Sequence, residues 1–111
     1  MIGVFGDHDA DGVSAATIVA DVLEMLGGTV EVYIPDKVTQ GHGIHPDGID
    51  VFAQKGVHLM ISVDCGTSSH EAVTYAAVQD IDVIITDHHH APEVLPDAYA
   101  VINPQVAEET N

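Results

Sequence analysis

MIGVFGDHDADGVSAATIVADVLEML spans residues 1–26, and the way its three parts follow one another decides how the rest of the chain is read. Residues 1–5 are an apolar run of strand length. Asp7, Asp9 and Asp11 then crowd three carboxylates onto alternate positions. From residue 12 to residue 26, Val13, Ala16, Val19, Ala20, Leu23 and Leu26 keep the i, i+3, i+4 spacing of one helix face, and Gly27-Gly28 ends it. This is a strand, an acidic turn and a helix. Like charges packed so closely repel unless a cation or water lies among them.

The same alternation continues. Residues 29–34 are β-branched and alternate, as a second strand would. Pro46 opens a shorter helix to about Lys55, with Gly56 behind it. VHLMISV (57–63) is a third strand, and SSHE (68–71) has the form of a capping box, with Ser68 as N-cap and Glu71 three residues on. A helix through Ala72, Val73, Ala76 and Ala77 to about Gln79 follows. IDVIIT (81–86) is a fourth strand and residues 100–102 a short fifth. Strand–helix alternation predicts a three-layer α/β/α domain with a mainly parallel sheet of four or five strands.

Composition narrows the function. The 111 residues suffice for one domain with a single modest core, and 46% hydrophobic residues exclude a disordered chain. No apolar run approaches the ~18 residues of a membrane span, and the opening residues lack the basic flank of a signal peptide. The single Cys65 cannot form an internal disulfide, which fits a reducing cytoplasm. Against 18 acidic residues stand Lys37 and Lys55 and no arginine, a formal net charge of −16. Such a chain has little with which to neutralise nucleic-acid phosphates by itself. Metal ions or basic segments elsewhere would have to supply the positive charge.

Three groups of potential ligands each follow a predicted strand: Asp7, Asp9 and Asp11; Asp64; and Asp87, His88, His89 and His90. In a parallel α/β sheet ligands bind at the carboxyl ends of the strands, so groups distant in sequence should meet along one edge. Carboxylates with imidazoles suit Mn²⁺ or a similar divalent ion, and two such ions form the usual clamp for phosphoester hydrolysis. Cys65, before Gly66, reads as a small buried side chain in a tight turn rather than a metal ligand.

The segments GDHDADGVSA, GHGIHPDGI, ISVDCGTSSHEAV and IDVIITDHHHAPEVLPDAYAVINPQ resemble the first three motifs and connecting segments of the DHH phosphoesterases. TDHH followed by LPDAYAVINP is more similar to the RecJ-type single-strand-specific exonucleases than to the oligoribonuclease and cyclic-dinucleotide branch, which is the alternative. The resemblance implies a two-metal site, with Mn²⁺ the expected ion and Mg²⁺ the other candidate. It implies 5′→3′ cleavage of single-stranded DNA to 5′-mononucleotides, in DNA repair and recombination. Carried onto this sequence, Asp9 and Asp11 would each hold one ion and Asp64 would bridge both. His88 would complete one ion's shell, His89 would touch the scissile phosphate, and Asp87 would orient a neighbouring imidazole. Asp7, His8 and His90 are set aside as bystanders, and His42 lies where relatives often carry Tyr.

Three departures accompany the resemblance. Many members carry a histidine four residues before the first aspartate of the pair, where this chain has Phe5. The fourth motif, a further aspartate ligand, and the basic substrate-gripping second domain lie outside residues 1–111, so the expectation is a partial domain, weakly active alone. Single-stranded nucleic acid would be gripped through those other regions by a monomer. Two rivals differ in class. A haloacid-dehalogenase-like phosphatase would want a Thr where Val13 stands and a lysine near a later strand. A catalytically silent DHH scaffold would be expected to have lost ligands that are intact here.

Overall fold

The computed structural model describes residues 1–35, 43–89, 92 and 94–104. His42, His90 and Lys37 lie outside the described residues. In chain order the elements are β1 (Ile2–Gly6), α1 (Ala10–Met25), β2 (Val30–Tyr33), α2 (Pro46–Gln54), β3 (Leu59–Val63), α3 (His70–Val78), β4 (Asp82–Thr86) and β5 (Ala100–Ile102). The five strands form one sheet in the order β2-β1-β3-β4-β5, every pairing parallel. The α/β architecture expected from the sequence is the one observed.

Side chains of β1 alternate between two cores, as the two-residue period of a strand requires. Val4 meets Ala16 and Val63 on the α1 face, with Val19, Leu23 and Ile61 against them. Phe5 faces the other way, into a larger core with Ile49 and Phe52 of α2, Met60 of β3, Val73 and Ala76 of α3, and Ile85 of β4. Phe5, Phe52, Ile49 and Met60 are fully buried, each worth about 1.5–3 kcal/mol of apolar transfer. Phe5 also stacks on Tyr33, ring centroids 5.4 Å apart. Phe5 is therefore part of the core, although it stands one residue from the carboxyl end of β1.

Three local details differ from the sequence reading. Val13 and Leu26, expected on the buried face of α1, are exposed, while Ala16 and Ala20 carry its closest contact. Two small residues let the helix lie near the sheet, so bulkier neighbours at its edges turn outward. The capping box does not form: Ser69, not Ser68, is the N-cap of α3, and its side chain makes no cap hydrogen bond. Its Oγ instead accepts the backbone N–H of Ile44 at 3.1 Å. The strands begin one residue later than expected at β1, β2 and β4, and two later at β3.

No helix among the described residues is long and apolar enough to cross a membrane.

Candidate metal centre

Strand order reverses between β1 and β3, and such a switch point opens a crevice at the carboxyl ends of the two strands. Asp7 and Asp9 leave β1 there, and Asp64 leaves β3. One carboxylate oxygen from each lies within 4.8 Å of the others. A second group, Asp64, His88 and His89, meets the same criterion, so Asp64 belongs to both. The residues quoted from three distant segments do converge.

Each is held by its element. Asp9 is the N-cap of α1, its Oδ1 accepting Gly12 N–H at 2.8 Å. That bond holds its carboxyl below the ordinary range, and nearby His8 and His89 act the same way. Gly12 is required here: a Cβ would lie 2.3 Å from the Asp7 carbonyl oxygen and 2.6 Å from Asp7 N. Asp64 takes the left-handed conformation, φ +61°, which Asp tolerates better than most residues. Its N–H donates to Thr86 O at 2.9 Å, tying the end of β3 to β4. Its side chain is 4% exposed.

One oxygen of Asp64, Oδ1, contacts Nε2 of His88. The other, Oδ2, is buried and receives no hydrogen bond from a described residue. Burial pushes the Asp64 carboxyl up, and the neighbouring Asp9 carboxylate pushes it further. Asp9 falls while Asp64 rises because the two would share one proton. A cation between them would remove that conflict, and hard oxygen donors with imidazole are the donor set such an ion takes. The residues present fit a divalent metal.

The second cluster is built around Asp87. Its Oδ1 accepts the N–H groups of His88 (2.7 Å) and His89 (3.2 Å) and Nδ1 of His89 (2.6 Å). Its Oδ2 accepts Thr67 N–H (3.2 Å) and Thr67 Oγ1 (2.8 Å). Burial works to raise the Asp87 carboxyl, but these donors outweigh it and hold it low. Asp87 in turn raises His89. The imidazoles of His88 and His89 stack at 4.5 Å.

Asp11 sits in the first turn of α1, outside both groups, and lines a groove of about 590 Å³ with Ile18, His88 and Pro104. Asp7, set aside on the sequence, stands with Asp9 and Asp64, and it lines a cleft of about 500 Å³ with Thr67, Ser68 and His89. Asp64 and Asp87 border both spaces. Cys65 is buried, as expected, and burial pushes its thiol well up, leaving it inert. Sequence reasoning missed Thr67 and Asn103. Asn103 follows β5, so the rule that ligands gather after parallel strands could have found it.

Comparison with known proteins agrees with this fold. The model of the DHH family, N-terminal domain, matches residues 1–110. The single-stranded-DNA-specific exonuclease RecJ of Bacillus subtilis is 36% identical over 104 residues, which are 94% of this chain and 13% of that protein. The RecJ of Dickeya dadantii is 38% identical over 108 residues, 96% of this chain and 19% of that protein. The crystal structure of exonuclease RecJ bound to manganese superimposes with a TM-score of 0.84 at 30% identity, covering 95% of this chain and 27% of that one. RecJ from Thermus thermophilus in complex with Mn²⁺ gives a TM-score of 0.75 at 29% identity, over 93% of this chain and 14% of that one. The chain therefore spans less than a third of any of these relatives. By its sequence and its fold alike, this chain belongs to the DHH family, matching its N-terminal domain.

Proposed function

We propose that this domain binds two divalent metal ions, Mn²⁺ in the first instance, and hydrolyses phosphodiester bonds of single-stranded DNA from the 5′ end. The observation that carries the reading is the buried carboxylate of Asp64, which belongs at once to a group with Asp7 and Asp9 and to a group with His88 and His89. Asp64, common to both groups, would serve both ions. Asp9 would hold one ion with Asp7 beside it in the oxygen cluster, Asp11 would reach the other from the first turn of α1, and His88 would complete a shell. When bound, the ions supply an activated water and neutralise charge developing on the phosphoryl oxygens.

The chain's own residues do the rest. Asp87 takes the Nδ1 proton of His89 in a hydrogen bond, leaving Nε2 to meet a phosphate oxygen. Because Asp87 raises His89, the ring carries a proton at Nε2 more readily and can donate it in a hydrogen bond. Asp87 is thus a positioning residue. The net charge of −16 repels a polyanion, so the strand would be held by basic surface outside residues 1–111, a reading that the greater length of the relatives supports; the protein would act as a monomer in the cytoplasm.

The test is a chimera in which this chain replaces the matching segment of the Bacillus subtilis relative, with folding checked by circular dichroism. Mn²⁺-dependent release of 5′-mononucleotides from single-stranded DNA, lost in Asp64→Asn, is the expected result. A folded chimera inert on single-stranded DNA overturns the exonuclease reading. If it then cuts only short RNA or cyclic dinucleotides, the sister branch is the right one, and inertness on every substrate leaves the silent scaffold.

A further inference from the structure

His89 is placed by more than Asp87. Asn103, 2% exposed, follows β5 and reaches across the end of β4. Its Nδ2 donates one hydrogen to Thr67 Oγ1 at 2.9 Å and another to the backbone oxygen of His89 at 3.0 Å. Thr67, 1% exposed, passes its own hydroxyl hydrogen to Asp87 Oδ2 at 2.8 Å. Asp87 Oδ1 then accepts Nδ1–H of His89 at 2.6 Å.

The direction of every bond in this chain is dictated. An ionised carboxylate only accepts, so Thr67 Oγ1 must donate to Asp87 and has only lone pairs left for Asn103. The His89 carbonyl also only accepts. Both atoms facing Asn103 Nδ2 therefore require a donor, which fixes which end of the amide faces them. The same logic places a proton on Nδ1 of His89. Asn103 thereby grips His89 twice, through its backbone oxygen and through the relay to its ring. Buried polar groups joined in this way tend to act as a unit.

We infer that Asn103 and Thr67 form a one-way hydrogen-bond relay that locks the ring of His89 in a single tautomer and orientation for phosphate contact. The inference rests on the proposed phosphodiesterase reading for its purpose, but the lock itself is a property of the protein without metal or substrate. Asn103→Asp is nearly isosteric and puts an acceptor against two acceptors. Thr67→Val keeps the shape of threonine and removes the hydroxyl. Thr67→Ser keeps the hydroxyl.

The experiment uses the 111-residue chain labelled with ¹⁵N-histidine, studied without metal at alkaline pH, where the ring is neutral. Long-range ¹H–¹⁵N spectra should show His89 as the pure Nδ1–H tautomer in the parent and in Thr67→Ser. Asn103→Asp, Asn103→Ala and Thr67→Val should each show a mixture with the Nε2–H form, because Asp87, without the Thr67 hydroxyl or the Asn103 amide that holds it, no longer keeps Oδ1 against Nδ1. Circular dichroism confirms that a variant is folded; should Asn103→Asp unfold, the other two decide. A single Nδ1–H tautomer in every folded variant overturns the lock. Placed in the chimera described above, with Mn²⁺ and bis(p-nitrophenyl) phosphate, the relay variants should lose about tenfold in kcat with KM unchanged. A matching loss of kcat in Thr67→Ser, or none in Thr67→Val, would overturn the role in catalysis. A chimera that fails to turn over this diester while the tautomer of the chain responds as expected counts against the function proposed above and not against the relay.

Discussion

Asp64→Asn separates the folding role of the site from its binding role. Asn has nearly the volume of Asp, tolerates the φ of +61° at this position, and can still offer an oxygen to Nε2 of His88. It removes one charge from a crowded acidic pocket. Carboxylate oxygens of Asp9 and Asp64 lie within 4.8 Å. At that separation two unit charges repel by about 0.9 kcal/mol in water and about 3.5 kcal/mol at an effective dielectric near 20. Asp9 opens to solvent, so the lower part of the range applies, and relief of about 1–2 kcal/mol is expected. For a domain of this size that is an increase in Tm of roughly 4–10 °C in EDTA. Mn²⁺ reverses the order. At about a hundred times its Kd it adds about 2.7 kcal/mol to the parent, whereas the variant has lost the shared ligand and should shift little. Thermal unfolding at pH 8, with EDTA and with Mn²⁺, reads both effects. An Asp64→Asn chain less stable than the parent in EDTA and equally stabilised by Mn²⁺ would refute the crowding argument and the metal assignment together.

Gly12→Ala should destabilise the chain by about 2–3 kcal/mol, although Ala is the better helix former by about 1 kcal/mol, because its Cβ would meet Asp7 backbone atoms at 2.3–2.6 Å. A neutral or stabilising effect in denaturant unfolding would show that the acidic turn is looser than described. Asp7→Ala should weaken Mn²⁺ binding in calorimetry at least as much as Asp11→Ala, since only Asp7 lies within the oxygen cluster; the opposite order would restore the ranking read from the sequence. Without metal, stability should be greater at pH 5.5 than at pH 8. His89, raised above its ordinary 6.5, contributes stability that is complete below 6.5 and lost as pH rises through its folded value. Raised Asp64 acts in the same sense, while lowered Asp87 loses its contribution only as pH falls below 3.8 through its folded value. His89 is half exposed, so its share is small, and Mn²⁺ should invert the trend because its ligands must be deprotonated. An unchanged trend with Mn²⁺ would mean that the ion binds elsewhere.

Much of this was legible in the sequence because the signals are local. The periodicity of residues 12–26, the β-branched runs before Asp64 and Asp87, and the rule that parallel strands gather ligands at their carboxyl ends placed three distant segments at one edge. What was not legible depends on contacts between segments. Ser69 displaces Ser68 as N-cap because its hydroxyl serves Ile44, 25 residues away in sequence. Asp7 and Asp11 look equivalent as members of an alternating run, but α1 begins at Ala10 and carries Asp11 onto the helix, while Asp7 stays beside the switch point. Asn103 and Thr67 are polar residues of ordinary type. Only burial beside Asp87 gives them a role.

The central claim is that Asp64 joins two metal ions at the β1–β3 switch point. Anomalous diffraction at the manganese edge, on crystals of the chain soaked in Mn²⁺, tests it most directly. Two anomalous peaks sharing Asp64, with Asp9 on one side and His88 on the other, are the predicted result. Peaks that leave Asp64 without a metal contact would contradict it.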